Sequence, residues 1–400
     1  MPARKLRIGG ASYDLAWARP LAGRANSDLI LIAGGGGSGN TGVKNQVQVV
    51  RSKGQGEYEL VTQFVTDSDG NQRFCCGICS GGWEGASLVG VALGTHCLVL
   101  SMEFDEAQSK ASFTRLVEFE ADFSKEDAGI NCCCITPSSD VVTGGEDGVV
   151  RFWRLDKQQQ HLPAGAALVS NTFCCSGHSA PIMALGSHPR EAWVCSASKD
   201  GSCKIWDSKT GKLLADIVPI SDGSGGSGAK ASLTKMQCRG CCFSADGDYL
   251  YTIQCGRIGS TILIKYSLSL NSRQDAGDTP LMAVAKKTTV ASKSPSTRLV
   301  ISGTGEYIAV GCSSGAVAVF DSETLAKVFS GPCHDDQPVL GLAFAPRDAS
   351  DAERAMCVFV TCSVDSFMTS TAVHGSSVVA YLLIAVLFFL FFFLFLHTYQ

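Results

Sequence analysis

The stretch IMALGSHPREAWVCSASKDGSCKIWD, from Ile182 to Asp207, contains the pattern that decides the fold. It reads as an alternating strand, a turn, a second apolar strand, a Lys-Asp-Gly turn and a third strand that ends in Trp206-Asp207. The pair Gly177-His178 stands just before it. A Gly-His pair followed by short strands and a Trp-Asp ending is typical of one β-propeller blade. His178 is therefore predicted to stabilise its blade through hydrogen bonds, not to bind a metal or catalyse a reaction.

Degenerate copies of this unit recur along the chain. They begin roughly every 40 to 55 residues, which is the length of a four-stranded blade. The copies lie at Asn131–Leu155, Ile182–Asp207, Cys238–Tyr266, Arg298–Asp321 and Val339–Val364, with two more around the glycine-rich segment 29–50 and at Phe74–Phe104. Seven copies predict an all-β fold, a seven-bladed β-propeller over residues 1–366, because a closed ring leaves no long sheet edges. An N-terminal strand near Lys5–Ile8 is expected to complete the last blade. An irregular β-sandwich is the alternative.

The C-terminal segment VVAYLLIAVLFFLFFFLFL, Val378–Leu396, has 19 residues and no charge. At about 1.5 Å per residue a helix of this length reaches roughly 28 Å, close to the endoplasmic-reticulum bilayer at about 27 Å. The sequence thus predicts one C-terminal transmembrane α-helix over 378–396, after a juxtamembrane linker over 367–377 and before a lumenal tail over 397–400. The N-terminus has no apolar region of a signal peptide, so the propeller is expected to face the cytosol.

Composition argues against several functional classes. The formal net charge is −4 and the sequence pI is about 6.0, and no basic block stands beside aromatic residues, so we expect no nucleic-acid partner. Many of the nineteen cysteines occur in runs such as Cys132-Cys133-Cys134. Neighbours on a strand point to opposite faces, so a run cannot form a ligand cage, and we expect reduced, buried thiols. No histidine has a local partner that marks it as a general base, so bond-making catalysis is not expected.

The glycine-rich segment LIAGGGGSGNTGVKNQVQVV, Leu31–Val50, contains the candidate functional residues. Glycine loses the most backbone freedom on ordering and packs no side chain, so the run Gly34–Gly37 cannot lie inside a helix or strand. Three interpretations compete: a mobile hairpin tip, a nucleotide-binding loop and a protein-contacting loop. The nucleotide interpretation is weak. The G-x-G-x-x-G pattern from Gly37 precedes a strand instead of a helix, and Val43 stands where a phosphate loop requires lysine.

The run Gly34–Gly37, the Thr41-Gly42 step and the Val43-Lys44-Asn45 sequence resemble the loop of the endoplasmic-reticulum guanine nucleotide exchange factors for the Sar small GTPase, the PREB-like family. With the propeller and the anchor, the resemblance covers most of the chain. It implies a single-pass protein of the endoplasmic-reticulum membrane that promotes GDP release from a Sar-type GTPase and starts COPII coat assembly. It also implies a potassium ion, and no organic cofactor, with the ion bound by backbone carbonyls of Gly36, Gly37, Gly39 and Thr41.

Exchange of this kind works through binding and makes no covalent bond. The switch loops of a GTPase order around phosphate and Mg²⁺, and a loop that binds the nucleotide-poor state more tightly shifts the population toward release. Two alternatives stay open: an exchange-inactive scaffold for cargo trafficking at the same membrane, and an enzyme that holds a nucleotide on the glycine loop. The expected roles are Asn40 and Asn45 as polar contacts or loop braces, Thr41 and Gly42 as the turn, Val43 as an apolar wedge, and Lys44 as a charge near acidic or phosphate groups.

Overall fold

The computed structural model describes residues 4–19, 28–37, 41–54, 57–67, 73–83, 86–155, 169–218, 236–256, 260–270, 280–291, 294–346 and 355–374. Its 28 strands form seven four-stranded antiparallel sheets, and the described residues contain no helix. The first strands of successive sheets contact one another around the ring, so they are the inner strands, and the fourth strand of each sheet is the outer one. The predicted all-β, seven-bladed propeller is confirmed.

The first four blades are each formed by four consecutive strands, beginning with the second strand of the chain. Blades 1 and 2 consist of β2 (Ser12–Trp17), β3 (Leu29–Gly34), β4 (Gln46–Ser52) and β5 (Tyr58–Val65), then β6 (Cys75–Trp83), β7 (Ala86–Leu93), β8 (His96–Asp105) and β9 (Lys110–Glu120). Blades 3 and 4 consist of β10 (Ile130–Ile135), β11 (Val141–Gly145), β12 (Val149–Leu155) and β13 (Val169–Ser176), then β14 (Ile182–Ser187), β15 (Trp193–Ser198), β16 (Cys203–Asp207) and β17 (Leu213–Ile217).

The last three blades complete the ring. Blades 5 and 6 consist of β18 (Gln237–Phe243), β19 (Tyr249–Cys255), β20 (Thr261–Leu270) and β21 (Pro280–Ala291), then β22 (Ser296–Ile301), β23 (Tyr307–Cys312), β24 (Ala316–Asp321) and β25 (Lys327–Pro332). Blade 7 consists of β26 (Gly341–Phe344), β27 (Cys357–Cys362), β28 (Phe367–Val373) and the N-terminal strand β1 (Arg4–Arg7).

The two ends of the propeller meet in blade 7. Strand β1 pairs antiparallel with β28, with Lys5 opposite Thr369, and forms the outer strand of this blade. Its backbone groups thereby satisfy the ladder that β28 would otherwise leave open. The predicted N-terminal strand that completes the last blade is confirmed.

Strand β28 corrects the predicted end of the propeller at residue 366. The segment Phe367–Val373 was expected to begin the juxtamembrane linker, but it pairs with β27 and buries Met368 and Thr369. Its Ser and Thr residues suggest a linker, yet β-branched Thr suits a strand. The linker residues 375–377, the predicted transmembrane helix 378–396 and the tail 397–400 lie outside the described residues. Within the described part of the chain, no helix is long and apolar enough to cross a membrane.

Apolar side chains fill the spaces between neighbouring blades. One cluster joins blades 1 and 2 through residues such as Leu31, Val49 and Leu98, and similar clusters join the other blades. The nineteen cysteines are thiols outside disulfides, and twelve of them are buried. Burial raises the pKa of thiols such as Cys97 well above the ordinary value. The expectation that the cysteines serve mainly as small buried apolar residues agrees with this.

One side of the ring, which we call the loop face, carries the candidate site. Strands alternate in direction within each antiparallel blade. The turn from the second to the third strand therefore lies on the same side as the connection from the outer strand to the next blade. In blade 1 these two segments are residues 35–45 and 66–74. The glycine loop and the connection to blade 2 thus share the loop face.

Candidate functional site: the glycine loop of the first blade

The glycine loop continues directly from the β3–β4 ladder. Gly34 at the end of β3 is opposite Gln46 at the start of β4. The next amide, Gly35 N–H, donates to the carbonyl of Ala11 at 2.9 Å, which ties the loop to the inner edge of its own blade. The loop has two limbs, the residues that follow Gly34 and the residues that precede Gln46. Both limbs therefore start from fixed positions at the end of a regular hairpin.

Asn45 braces the base of the loop. It is fully buried, and its side chain forms a cyclic pair with Gly37: the amide of Gly37 donates to Oδ1 at 3.0 Å, and Nδ2 donates to the carbonyl of Gly37 at 2.9 Å. The backbone N–H and Nδ2 of Asn45 also donate to the two carboxylate oxygens of Asp67, at 3.0 and 3.1 Å. One side chain thus joins both limbs of the loop to the connection that follows β5.

The glycines at the base allow the two limbs to approach closely. Gly35 has φ +141°, and a Cβ atom there would lie 2.5 Å from Cα of Asn45 and 2.6 Å from the carbonyl oxygen of Lys44. A Cβ on Gly36 would lie 2.0 Å from Oγ1 of Thr41. Any side chain at these positions would push the limbs apart. The glycine run therefore serves close packing at the base of the loop.

Four residues that precede the Asn45 brace are open to solvent. Thr41, Gly42, Val43 and Lys44 are all exposed, and Val43 exposes 40 % of its surface. Thr41 Oγ1 donates to the carbonyl of Gly36 at 3.4 Å and accepts the amide of Val43 at 3.3 Å, which shapes the turn. Of the remaining predicted site residues, Asn40 and Gly39 lie outside the described residues.

An aromatic pair lies beside the base of the loop. The rings of Tyr13 and Phe74 meet edge to face with centroids 4.5 Å apart. Phe74 Cδ2 lies 3.6 Å from the position that a Cβ on Gly37 would take. Phe74 belongs to the connection between blades 1 and 2, so this contact joins the loop to the next blade.

Two polar residues that hold the base of the glycine loop and the neighbouring inner strands were not predicted from the sequence. Asp67 lies 22 residues from Asn45, and no local motif links them. Asp14 on β2 accepts the amide of Ile78 at 3.1 Å and pairs with Arg298 Nη2 at 3.4 Å. Burial raises the pKa of Asp14, and the positive charge of Arg298 opposes this shift. The pair links blades 6, 1 and 2 across their inner strands.

His178 holds blade 4 together, as its motif predicts. Its Nδ1 lies 3.1 Å from Asp200 Oδ2, and its Nε2 lies 2.7 Å from Ser196 Oγ. Trp206 Nε1 donates to the same Ser196 oxygen at 2.8 Å. Burial lowers the pKa of His178, and the negative charge of Asp200 partly offsets this. Every polar group of this network is used inside the blade, and the predicted stabilising role is confirmed.

Of the four carbonyls predicted to bind potassium, those of Gly36, Gly37 and Thr41 belong to described residues and are of a suitable chemical type. Carbonyl oxygens are the donors with which proteins replace the hydration shell of potassium. The carbonyls of Gly36 and Gly37 accept hydrogen bonds from Thr41 Oγ1 and Asn45 Nδ2, and each carbonyl has a second lone pair. Groups of three or more His, Cys, Asp or Glu that could hold a metal do not occur among the described residues.

Comparison with known proteins identifies the repeat type. The model of the WD domain, G-beta repeat, matches residues 118–154 and 170–207. Each match starts in the outer strand of one blade and continues through three strands of the next. The small ribosomal subunit protein RACK1y of Oryza sativa subsp. japonica is 25 % identical over 124 residues, 30 % of this chain. Subunit I of eukaryotic translation initiation factor 3 of Neurospora crassa is 24 % identical over 173 residues, 42 % of this chain.

These relatives are matched over only part of their length: the chain spans 31 % of the rice protein and 44 % of the Neurospora protein. A crystal structure of Chaetomium thermophilum Sqt1, bound to the N-terminus of the ribosomal protein L10, has a TM-score of 0.61 and 16 % identity. The alignment covers 92 % of this chain and 87 % of that one, and it shows a common fold. Seven four-stranded blades make this chain a seven-bladed β-propeller, and two of its segments match the WD domain, G-beta repeat.

Proposed function

We propose that this propeller is a guanine nucleotide exchange factor for a Sar-type small GTPase, anchored in the endoplasmic-reticulum membrane by its C-terminal apolar segment. The observation that supports the proposal best is the division of the glycine loop into a braced base and an exposed tip. Asn45 and Asp67 hold the base through four hydrogen bonds that also involve Gly37. The segment Thr41–Lys44 remains open to a partner.

A braced loop suits exchange by insertion. Ordering a free loop on binding costs affinity, and a loop that is already fixed at its base avoids part of that cost. Val43 presents an apolar side chain with 40 % of its surface exposed, which can displace a switch loop of the GTPase. Lys44 brings a positive charge next to it. If these contacts are stronger in the nucleotide-poor state, they shift the GTPase toward GDP release.

Potassium is proposed to assist by holding the loop from inside. The carbonyls of Gly36, Gly37, Gly39 and Thr41 would bind the ion, as the family resemblance implies. The ion would supply positive charge that links the two limbs above the Asn45 brace. Release measured in potassium is then faster than release in sodium, whose smaller radius suits the same oxygens less well.

Binding of another protein is consistent with the names of the compared proteins. The Sqt1 structure holds the N-terminus of a ribosomal protein, and the two relatives carry names of components of larger assemblies. These names also favour the second candidate, a membrane-anchored scaffold for cargo trafficking without exchange activity. Such a scaffold binds its partner without any change in GDP release.

The decisive experiment measures release of a fluorescent GDP from a Sar-type GTPase in the presence of the full-length chain in detergent. One variant replaces Asn40–Asn45 with Gly and Ser. A control variant replaces Lys209 and Thr210, which lie in the exposed β16–β17 turn on the opposite face. We expect acceleration by the wild type and the control, and none by the loop variant. Equal release by all three, or binding without acceleration, contradicts exchange through this loop.

A further inference from the structure

A second surface feature on the loop face is the side chain of Phe123. It lies in the connection between β9 and β10, and it exposes 55 % of its surface. Among the exposed large apolar side chains of the described residues, it is the only aromatic one. Single exposed apolar side chains are common on protein surfaces, so what marks Phe123 is how its backbone and ring are held.

The connection around Phe123 is fixed by hydrogen bonds. The amide of Phe123 donates to Asp147 Oδ2 at 3.3 Å. Asp122 accepts the amide of Asp147 at 3.1 Å with one oxygen, and the amide and hydroxyl of Ser124 at 3.1 and 2.8 Å with the other. The backbone on both sides of Phe123 is thus tied to blade 3, and the ring is presented from a defined position.

Arg151 supports one face of the Phe123 ring. Its Cζ lies 4.9 Å from the ring centroid, a cation–π distance. Arg151 is itself buried and pairs with Asp147 at 2.6 Å, and Nη1 donates to the carbonyl of Ala121 at 3.1 Å. The ring thus rests on a fixed base with much of its surface in solvent. Aromatic side chains, phenylalanine among them, are enriched at protein–protein interfaces relative to the rest of the surface.

A continuous series of contacts joins Phe123 to the glycine loop. Gly37 lies against Phe74, and the carbonyl of Phe74 accepts the amide of Gly94 at 2.9 Å. The carbonyl of Thr95, the next residue, accepts the amide of Asp122 at 3.2 Å. A standard interface covers about 800 Å² on each partner, roughly 30 Å across. One globular partner can therefore contact the loop tip and Phe123 together.

We propose that Phe123 is a second anchor for the small GTPase, inserted into an apolar pocket of that protein while the glycine loop contacts its switch regions. This inference rests on the proposed function for the identity of the partner. The competing role for Phe123 is structural, as a cover that shields the Arg151–Asp147 pair from water. The two roles differ in what a substitution changes: the affinity for the partner or the stability of blade 3.

The test measures the dissociation constant between the full-length chain in detergent and a nucleotide-free Sar-type GTPase, with the melting temperature of each variant. The variants are Phe123→Ser, which removes the ring, and Phe123→Leu, which keeps an apolar cover over Arg151. The control is Leu213→Ser on β17, because Leu213 is 45 % exposed and lies at the opposite face. We expect Phe123→Ser to weaken binding about tenfold or more, Phe123→Leu to weaken it less, and the control to bind as the wild type does.

Each outcome decides the inference. Wild-type affinity in Phe123→Ser overturns the anchor while exchange by the loop stands. A lower melting temperature in Phe123→Ser, together with wild-type affinity in Phe123→Leu, assigns Phe123 the structural role and also overturns the anchor. If Phe123→Ser binds weakly and the wild-type chain binds the GTPase but does not accelerate GDP release, the anchor is supported and the exchange function is contradicted. Failure of the wild type to bind the GTPase overturns both proposals.

Discussion

Blades 4 and 1 differ in the turn between their second and third strands. In blade 4 the turn from the second to the third strand is short, and its Asp200 faces inward to His178. In blade 1 the corresponding turn is the glycine loop, in which Asn45 and Asp67 hold the base while the tip stays exposed. In blade 4 the polar groups bond to one another and stabilise the ring. The glycine loop of blade 1 leaves side chains available for a partner.

The difference shows how a repeated fold acquires a local function. Propellers share their fold across many functions, so function has to be argued from a site. In blade 4, Trp206, Ser196 and His178 form a closed network with no group left for a ligand. In blade 1 the Asn45 brace holds a loop whose residues Thr41–Lys44 are exposed. Substitutions in blade 4 should therefore change the stability of the ring, and substitutions at the loop tip should change partner binding.

Trp206→Ala is expected to have the largest effect on stability. Trp206 is buried in blade 4, and its loss leaves a cavity and removes one of the two hydrogen bonds of the Ser196 hydroxyl, so the free energy of unfolding should fall by about 3–5 kcal/mol. Urea denaturation provides the measurement. Trp206→Phe retains most of the packing and should cost less. In contrast, Val43→Ser at the loop tip should leave the free energy of unfolding within about 0.5 kcal/mol of the wild-type value. An equal loss of stability in Trp206→Ala and Val43→Ser would contradict the difference described between blades 4 and 1.

Gly35→Ala is expected to disrupt the base of the glycine loop. The new Cβ would collide with the backbone of Asn45, as the 2.5 Å approach indicates, and a strained position of this kind costs about 1–3 kcal/mol. Gly54→Ala is the matched control, since Gly54 has φ +79° but open space around its Cβ position. Thermal unfolding of both variants separates the collision from the cost of positive φ. A loss no larger in Gly35→Ala than in Gly54→Ala would show that the limbs do not pack as described.

Asn45→Ala is expected to loosen the loop without unfolding the ring. The substitution removes the side-chain bonds to Gly37 and Asp67, and a buried polar network of this size contributes about 1–3 kcal/mol. Hydrogen exchange at the Gly37 amide should become faster while exchange in blade 4 is unchanged. Asp67→Asn, which keeps one acceptor oxygen, should show a smaller change. Unchanged exchange at Gly37 in Asn45→Ala would refute the brace.

Acid is expected to weaken blade 4 by a smaller amount. The pKa of His178 is lowered by burial, so the unfolded chain takes up a proton as the pH falls below about 6.5 while the folded chain does so at lower pH. The unfolded state then binds more protons, and the free energy of unfolding should fall between about pH 7 and pH 5. Urea denaturation at both pH values, compared with His178→Gln, measures this. The same pH dependence in the variant would assign the effect to other groups.

The sequence predicted the ring well because its signals are local. Gly177-His178 and Trp206-Asp207 mark one blade, and the spacing of the copies is enough to count the others. The Thr- and Ser-containing strand β28 was missed because its polar composition resembles a linker, whereas pairing with β1 and β27 decides its structure.

The candidate site was predictable in part. The glycine run and the sequence Thr41–Asn45 indicated the loop from composition and resemblance. The brace was not predictable, since Asp67 meets Asn45 only when the outer strand of blade 1 returns to the loop face. Phe123 was missed for the same reason: its support by Arg151 depends on strands from two different blades.

If the braced loop base presents Val43 to a GTPase, substitutions at the tip and at the brace should both slow exchange. The measurement is the rate of GDP release from a Sar-type GTPase with the wild type, Val43→Ser and Asn45→Ala, in potassium. We expect both variants to slow the stimulated release several-fold, Val43→Ser at wild-type stability and Asn45→Ala with faster hydrogen exchange at Gly37. Stimulated release at the wild-type rate in both variants would contradict this role of the loop.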